Sequence, residues 1–190
     1  TFAAMVLSIL LWPESLGFTS ALATLWRLAL ISGIASVAGA SQLRFLMSLV
    51  EQATHDAMTK TMTRNAGEQL INWQFAIDER KSSPLAVLFI DLDKFKSIND
   101  QFGHEAGDAV LRELGQMLKV NVRGGDVACR FGGEEFVLIL PETTLENAKQ
   151  RAEELREKSR QLTVIYRGQA LGIVTISLGL AAFPECATTV

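Results

Sequence analysis

The sequence has few of the features that mark a disulfide-rich or a nucleic-acid-binding protein. Its 190 residues include two cysteines, Cys129 and Cys186, which lie far apart and imply no disulfide framework. Cys129 falls within a predicted strand, where a reduced core thiol is its expected role. The formal net charge of -3 provides no basic excess of the kind that binds nucleic acid. Disulfide scaffolds and nucleic-acid partners are therefore excluded from the expected functions.

Charge is also scarce at the beginning of the chain. Residues 1–50 contain only Glu14, Arg27 and Arg44 as charged side chains. From Glu51 onward the chain is charged and has the composition of a globular domain. The sequence does not begin with Met and opens inside an apolar run, so we expect it to be a piece of a longer protein.

An apolar segment long enough to cross a membrane follows a shorter one. Residues 1–11 are too few, since a span needs about 20 apolar residues, and residues 12–15 are predicted to form a turn. Residues 16–40 have the required length, and Arg27 beside Trp26 could extend to the membrane surface. A buried helical hairpin of a soluble domain is the alternative interpretation.

The charges that flank the second apolar segment predict its orientation. The preceding turn holds Glu14 and no Lys or Arg, whereas Arg44, Lys60 and Arg64 follow the segment. By the positive-inside rule, the chain after this segment lies in the cytoplasm. We therefore predict membrane-spanning segments over residues 1–42, an inner (cell) membrane location and a cytoplasmic soluble part.

Residues 43–58 are predicted to form a connector helix. Apolar residues recur there in alternating three- and four-residue steps over about two heptads, at Leu43, Leu46, Val50, Ala53 and Ala57. The pattern fits a coiled coil that joins a membrane anchor to a domain, and it fits equally a helix that packs on its own domain.

The remaining residues, 59–190, alternate helical and extended patterns. We predict helices at 65–81, 95–102, 108–120 and 145–160, and strands at 85–90, 127–131, 134–140, 163–166 and 171–181. The last two strands are predicted to pair as a hairpin across Arg167 and Gly168. Adjacent strands around a Gly-Gly turn, with helices between the other strands, indicate an α+β fold. The expected form is a ferredoxin-like, palm-type mixed sheet flanked by helices.

The stretch RFGGEEFVLIL, residues 130–140, places two carboxylates at the start of an apolar strand. Gly132 and Gly133 are predicted to form a two-residue hairpin turn with positive φ. Their lack of side chains would let a ligand approach the backbone closely. Glu134 then stands at the tip of the hairpin, and Asp91 stands at the end of the predicted central strand.

If these two strands are neighbours, Asp91 and Glu134 converge on one spot. Hard carboxylate oxygens with open positions suit Mg²⁺, which takes one or two carboxylates together with substrate phosphates. A nucleoside triphosphate site is the functional interpretation, and a solvated acidic turn is the alternative. The combination of Asp91-Leu92-Asp93 with the acidic glycine turn favours the site.

Two long motifs identify the family that the sequence resembles. GGEEF at residues 132–136, with DLDKFKSIND at 91–100 and GHEAGD at 103–108, is similar to the signatures of the diguanylate cyclase, or GGDEF, family. The resemblance covers roughly residues 54–185 and includes a late strand, VTISLGLAAFP, at 174–184.

The resemblance implies a role for each matching residue. Asp91, Glu134 and Glu135 would be catalytic, with Glu135 activating the attacking 3′-hydroxyl. Asp91, Glu134 and the Leu92 carbonyl would bind the divalent metal, Mg²⁺ or Mn²⁺. Substrate contacts would come from Asn99 and Asp108 at guanine, from Gly132 and Gly133 at the phosphates and from the charge of Lys96, with His104 and Arg130 in supporting positions.

The segment Arg123-Gly124-Gly125-Asp126 resembles the RxxD product-inhibition motif of the same family. Arg123 would bind a phosphate or guanine, and Asp126 would accept hydrogen bonds from guanine. The resemblance therefore implies an allosteric site for the product as well as an active site.

The activity implied by the resemblance is the condensation of two GTP molecules into cyclic di-GMP and two pyrophosphates. Each domain of a homodimer would hold one GTP, and the product would inhibit the enzyme. One alternative is a catalytically weak domain of this type that binds GTP or cyclic di-GMP as a signalling module. The other is an unrelated metal-dependent nucleotidyltransferase with a similar palm.

The sequence departs from the family pattern at two places. The family opens with D-x-L-T-G-L-x-N-R, and residues 56–64 keep Asp56, Thr59 and Arg64 but carry Lys60 in place of Gly. The chain also ends before the family's next helix, whose Lys and Arg contact phosphates. We therefore expect the domain of residues 59–190 to be incomplete at its C-terminal end.

Overall fold

The structure is a computed structural model that describes residues 18–186, with side chains from residue 21 onward. The chain divides into two compact units at the junction of Leu49 and Val50. The apolar segment and the turn predicted over residues 1–11 and 12–15 lie outside the described residues.

Helix α1, Phe18–Thr54, forms the described part of the first unit up to Leu49, and its last five residues belong to the second unit. An 18-residue window within Ala21–Thr54 has a mean hydropathy of 1.6, and the helix is long and apolar enough to cross a membrane. Large apolar side chains such as Leu25 and Val37 are exposed along it. The helix continues without a break past residue 42 and ends four residues before the end of the predicted connector.

The second unit consists of a sheet, a hairpin and the helices that cover them. Its helices are α2 (Arg64–Lys81), α3 (Phe95–Phe102), α4 (His104–Val120) and α5 (Leu145–Arg160). Its strands are β1 (Met62–Thr63), β2 (Leu85–Leu92), β3 (Val127–Arg130), β4 (Glu135–Pro141), β5 (Thr163–Tyr166), β6 (Gln169–Ile173) and β7 (Ile176–Phe183). Threonine side chains cap α2 and α5 at Thr63 and Thr144, where each hydroxyl accepts a backbone N–H of the first turn.

The main sheet has the strand order β1-β3-β4-β2-β7. Strands β3, β4, β2 and β7 pair antiparallel, whereas the short β1 pairs parallel with β3 and makes the sheet mixed. Strand β2 is central and lies between β4 and β7, as its continuous apolar run predicted. The predicted α+β fold, with a ferredoxin-like mixed sheet flanked by helices, is confirmed.

Alternation along the strands sends side chains to two cores, one on each face of the sheet. On one face, Leu88, Ile90 and Leu138 pack with buried residues of α4 and α5. On the other face, Val137 and Ile139 pack with Leu70, Ile71 and Phe75 of α2 and with other apolar residues. The candidate site described below lies at the end of the sheet where β2 ends and β4 begins.

Two predicted elements were wrong in their bounds. The strand predicted at 171–181 is divided between β6 and β7, and only β7 joins the main sheet. The helix predicted from residue 108 begins at His104, directly after Gly103 has ended α3. The turn of the last hairpin is as predicted, since Arg167 and Gly168 both have positive φ and connect β5 to β6.

Candidate active site

Two carboxylates face each other where the central strand reaches the end of the sheet, and a third precedes one of them in sequence. Asp91 is the Cα partner of Glu135 in the β2–β4 pair and of Ser177 in the β2–β7 pair. Side chains of directly opposed residues share one face of an antiparallel sheet, so the Asp91 and Glu135 carboxylates lie side by side. Glu134 is the residue that precedes Glu135, and all three side chains are partly accessible to solvent. Asp91, Glu134 and Glu135 define the acidic edge of the sheet, which can offer hard oxygen ligands.

The connection before Glu135 differs from the predicted two-residue turn. It comprises residues 131–134, and neither Gly132 nor Gly133 has φ in the left-handed region. The backbone N–H groups of Phe131 and Gly132 both donate to the Glu135 carbonyl, at 2.8 and 3.2 Å. The expectation that both glycines are needed for positive φ is therefore wrong.

The two glycines leave space for neighbouring groups instead. A Cβ atom at Gly132 would lie 2.1 Å from Oε2 of Glu135, so a side chain there would displace that carboxylate. A Cβ atom at Gly133 would have no neighbour within 4 Å, which leaves open space beside its backbone. A ligand can therefore reach the backbone of Gly133, while Gly132 makes room for Glu135.

The Arg130 side chain binds this connection, residues 131–134, which is called the glycine loop below. Its Nη2 donates to the Gly133 carbonyl at 2.8 Å, and its Nη1 donates to Asp56 at 3.2 Å. The guanidinium and the carboxylate are 16% and 25% exposed, so the ion pair is largely removed from solvent. The sequence predicted a supporting role for Arg130 through its charge, and this role stays a prediction. Arg130 ties the loop to a residue 74 positions earlier in the chain.

The pKa of Asp56 is held below its ordinary value by its neighbours. Burial acts to raise the pKa, but the backbone N–H and hydroxyl of Thr59 and the guanidinium of Arg130 together outweigh it. Thr59 donates to the Asp56 carboxylate from both groups at 2.8 Å. Asp56 therefore anchors the turn between α1 and β1 and, through Arg130, the loop at the acidic edge.

A second group of polar residues lies at the junction of α3 and α4. The Oδ1 atom of Asn99 is buried and, among the described residues, has no hydrogen-bond partner. The Asn99 amide lies so close to Gly107 that a Cβ atom there would be 2.0 Å from Oδ1. Asp108 follows Gly107 and is partly accessible. An unpartnered buried amide oxygen beside a carboxylate is suited to a ligand that supplies hydrogen-bond donors.

The other predicted site residues take varied positions around these groups. Leu92 is 1% exposed, so its side chain belongs to the core and only its backbone could serve a ligand. Lys96 is exposed on α3, and His104 is exposed as the first residue of α4. The Ser177 hydroxyl donates to Asp93 at 2.6 Å and links β7 to the segment after β2.

The predicted product-binding turn lies away from the acidic edge. The Arg123 N–H donates to Oδ2 of Asp126 at 2.9 Å, and the Asp126 N–H donates to the Arg123 carbonyl at 3.0 Å. This closed turn precedes the first residue of β3, whereas the glycine loop follows the last residue of β3. The structure therefore separates Arg123 and Asp126 from Asp91 and Glu134 by the length of a strand.

No cluster of three or more His, Cys, Asp or Glu side chains within residues 18–186 is arranged to hold a metal ion alone. The acidic edge supplies two or three carboxylates and the adjacent backbone. A metal bound there would need oxygen atoms from a ligand as well, which is the usual situation for Mg²⁺ at phosphate-transfer sites.

Three residues gain a functional interest that sequence reasoning had not assigned. Asp56 and Arg151 form ion pairs with Arg130 and Asp126, respectively. The Arg64 guanidinium lies 4.4 Å from the centre of the Phe131 ring, at the start of the glycine loop. The spacing of Asp56 and Thr59 is the one local signal, because a carboxylate commonly accepts the N–H of a residue soon after it in a turn.

The antiparallel core, the acidic edge and the glycine loop define the class of this domain, an α+β domain built around a GGDEF-type loop. The chain belongs to the family described as diguanylate cyclase, GGDEF domain, which it matches over residues 53–190.

Several known proteins are similar to this chain. Response regulator PleD of Caulobacter vibrioides is 48% identical over 100 residues, which are 52% of this chain and 22% of PleD. Diguanylate cyclase A of Treponema denticola is 36% identical over 138 residues, which are 71% of this chain and 37% of that protein. The chain thus spans less than two fifths of the length of these relatives.

The fold is also found in solved structures. The coiled coil and GGDEF domain of DgcB from Caulobacter crescentus, in complex with c-di-GMP, has a TM-score of 0.73 and 28% identity. That match covers 81% of this chain and 83% of the DgcB chain. Diguanylate cyclase SiaD of Pseudomonas aeruginosa, in complex with its activator SiaC, has a TM-score of 0.68 and 28% identity, covering 95% of this chain and 68% of SiaD.

Proposed function

We propose that this chain carries the catalytic domain of a diguanylate cyclase, which condenses two GTP molecules into cyclic di-GMP and two pyrophosphates. The observation that carries the proposal is the pairing of Asp91 with Glu135 at the sheet edge, beside Glu134 and the open backbone of Gly133. Membership of the GGDEF family and relatives named as diguanylate cyclases support it.

The donor set of the acidic edge fits a hard divalent cation. Asp91 and Glu134 would hold Mg²⁺ or Mn²⁺, with the Leu92 carbonyl as a further ligand, and triphosphate oxygens would complete the coordination. When bound, the metal would supply positive charge that stabilises the negative charge developing on the transferred phosphoryl group. The exposed Lys96 would add charge at the triphosphate.

The guanine base would be held at the junction of α3 and α4. Asn99 and Asp108 offer an amide and a carboxylate that match the donors and acceptors along the edge of guanine. The buried Oδ1 atom of Asn99 lacks a partner in the described chain and would gain one from the base. Adenine would leave this atom unpaired, and an unpaired buried polar group is what makes such sites reject the wrong base.

In the proposed reaction, two domains of a homodimer each present one GTP to the other. The 3′-hydroxyl oxygen of one GTP attacks the α-phosphorus of the other, and the bond from that phosphorus to the pyrophosphate oxygen breaks. Glu135 would accept the proton of the attacking hydroxyl. Repetition of the step in the opposite direction closes the ring, and the protein contributes mainly by positioning the reactants.

Regulation and location complete the proposal. Arg123 and Asp126 would bind the product and provide feedback inhibition at a distance from the acidic edge. Helix α1 would cross the inner membrane through its apolar run, of which no residue in the candidate span is buried. The residues after the apolar run would then lie in the cytoplasm. His104 and Arg130 would have supporting positions in the active site.

The first test is the substitution Glu134→Gln, which removes a charged metal ligand while keeping the size of the side chain. We expect cyclic di-GMP formation from GTP and Mg²⁺ to fall below detection, with an unchanged thermal midpoint. Glu113→Gln, on the exposed face of α4, is the matched control and should leave the rate unaltered.

Binding and turnover measurements on the unsubstituted chain and on Glu134→Gln distinguish the proposed enzyme from the alternative, a binding module. Product formed at the parental rate by Glu134→Gln would rule out the metal assignment. A parent chain that binds GTP or cyclic di-GMP but makes no product would instead identify a binding module that signals through its contacts.

A further inference from the structure

A cleft lies between the Arg123–Asp126 turn and helix α5. Its volume is about 150 Å³, and its lining includes Arg123, Asp126, Glu142, Gln150, Arg151 and Glu154. Glu142 has a φ of 51°, which places the backbone at the entry to α5 in the left-handed region. The turn to which product binding was assigned therefore forms only one wall of the cleft, and α5 forms another.

Arg151 joins these two walls. Its Nη2 donates to the backbone carbonyl of Asn121 and to Oδ2 of Asp126, the latter at 3.4 Å. The Arg151 and Asp126 side chains are 17% and 9% exposed, so the pair is protected from solvent. Lys158, two turns further along α5, donates to the side-chain oxygen of Asn121. Helix α5 thus holds both ends of the segment that contains Arg123.

The contacts of Asp126 show what this arrangement leaves for a ligand. Oδ2 of Asp126 accepts the Arg123 N–H and the Arg151 guanidinium, so the orientation of the carboxylate is fixed from two sides. Both bonds of Arg151 are made by Nη2, and the guanidinium also lines the cleft. Within the part of the chain that the structure describes, the protein's hydrogen bonds to the Asp126 carboxylate are made to Oδ2, and the Arg123 side chain is exposed. Oδ1 of Asp126 and the Arg123 guanidinium are thus left for a bound molecule.

We propose that Arg151 is a positioning residue of the product site. It fixes the Asp126 carboxylate and the Asn121 carbonyl, so that Arg123 and Asp126 meet cyclic di-GMP in a conformation that needs no further ordering. Groups that are held in their bound conformation before association lose less entropy on binding, which strengthens affinity. This inference rests on the product site of the proposed function and extends it to α5.

The experiment is a titration calorimetry series on the full chain in detergent, with cyclic di-GMP as the titrant. Arg151→Ala should raise the dissociation constant about tenfold, while initial GTP turnover, measured before product accumulates, stays at the parental rate. Arg151→Lys should recover part of the affinity, because an ammonium keeps the charge but not the planar fork of donors. Arg156→Ala, on the same helix and paired with Glu153, is the matched control and should bind like the parent.

A double-mutant cycle separates positioning from direct contact with the ligand. If Arg151 acts through Asp126, Arg151→Ala should cost little further affinity once Asp126→Asn is present. Fully additive losses would overturn the positioning role, and so would parental affinity in Arg151→Ala alone. A parent that does not bind cyclic di-GMP would refute the product site itself. Binding that Arg123→Ala abolishes and Arg151→Ala leaves intact would refute only the role of Arg151.

Discussion

At the scale of single residues, the proposed base site depends on the absence of a side chain at Gly107. The Asn99 amide occupies the space in which any other residue would place its Cβ atom, only 2.0 Å from Oδ1. Glycine is a poor helix former, and its presence in α4 leaves space for the Asn99 side chain of the neighbouring helix. Recognition by Asn99 therefore requires Gly107 as much as the amide itself.

Gly107→Ala should displace the Asn99 amide and raise the KM for GTP about tenfold or more, since one charged or buried hydrogen bond contributes on the order of 1.5–3 kcal/mol. The measurement is steady-state GTP turnover with Mg²⁺. Gly179→Ala is the control, because its Cβ would lie 4.0 Å from Cβ of Phe89, an ordinary contact. An unchanged KM in Gly107→Ala would show that Asn99 does not hold the base.

At the scale of elements, the turn between α1 and β1 stabilises the glycine loop through one ion pair. Asp56 accepts two hydrogen bonds from Thr59 and binds Arg130, which in turn holds the Gly133 carbonyl. Because the pKa of Asp56 lies below its ordinary value of 3.8, the folded state favours the charged form. The stabilisation is therefore complete above the ordinary pKa and is lost as pH falls through the lower, folded-state pKa.

The substitution Asp56→Asn tests this direction of the pH dependence of stability. We expect the variant to lose roughly 1.5 kcal/mol of unfolding free energy at about pH 6, and the difference from the parent to shrink below about pH 4. Urea unfolding at several pH values measures both. Glu68→Gln, which breaks the exposed pair with Arg64, should change stability by less than about 1 kcal/mol. A deficit that is the same at every pH would contradict the assignment to a charged Asp56.

Local sequence pattern predicted the elements that are defined by their own periodicity. The bounds of α5 are those predicted, because a capping Thr144 and an amphipathic repeat lie within its sequence. The start of α4 was missed, because Gly103 and Gly107 are typical of loops, whereas in the structure Gly107 is helical and packs against Asn99. The separation of β6 from β7 was also missed, because the break falls at Val174 and Thr175, which carry no turn signal within the apolar run.

The residue types of the candidate site could be predicted from the sequence, but the long-range contacts that hold them could not. Asp91 and the acidic glycine loop could be placed together, because Asp91 ends one apolar strand and the loop precedes another. The link from Arg130 to Asp56 crosses 74 residues, and no local pattern connects them. Arg151 reaches Asp126 from a different helix, a contact that depends on how α5 packs. Long-range contacts of this kind follow from the tertiary structure alone.

At the scale of the whole molecule, the two cysteines report on different parts of the fold. Cys129 is fully buried on the α2 face of the sheet, and burial raises its pKa to about 11, whereas Cys186 is exposed. The thiolate is the reactive form, so Cys129 is protected both by its surroundings and by its protonation.

Iodoacetamide at neutral pH should therefore modify one thiol of the native chain rapidly and the second only as the sheet opens. Mass spectrometry of samples taken over time counts the modified thiols, and a series in urea relates the slow reaction to unfolding. In Cys186→Ser only the slow modification should remain. Rapid modification of that variant without denaturant would mean that the core around Cys129 is not closed.

The strand order has a consequence for how such a domain is synthesised. Strand β2 leaves the ribosome first among the antiparallel strands, yet both of its neighbours are encoded later, with Ser177 following its partner Asp91 by 86 positions. Until β7 has emerged, one edge of β2 is unpaired and apolar, and an open edge of that kind invites association with other chains. Pairing over long sequence distances is also slow. A growing chain therefore carries β2 with one unpaired side while the 86 residues from Asp91 to Ser177 are added. A chaperone that covers β2 during this interval would protect the chain without having to recognise the finished fold.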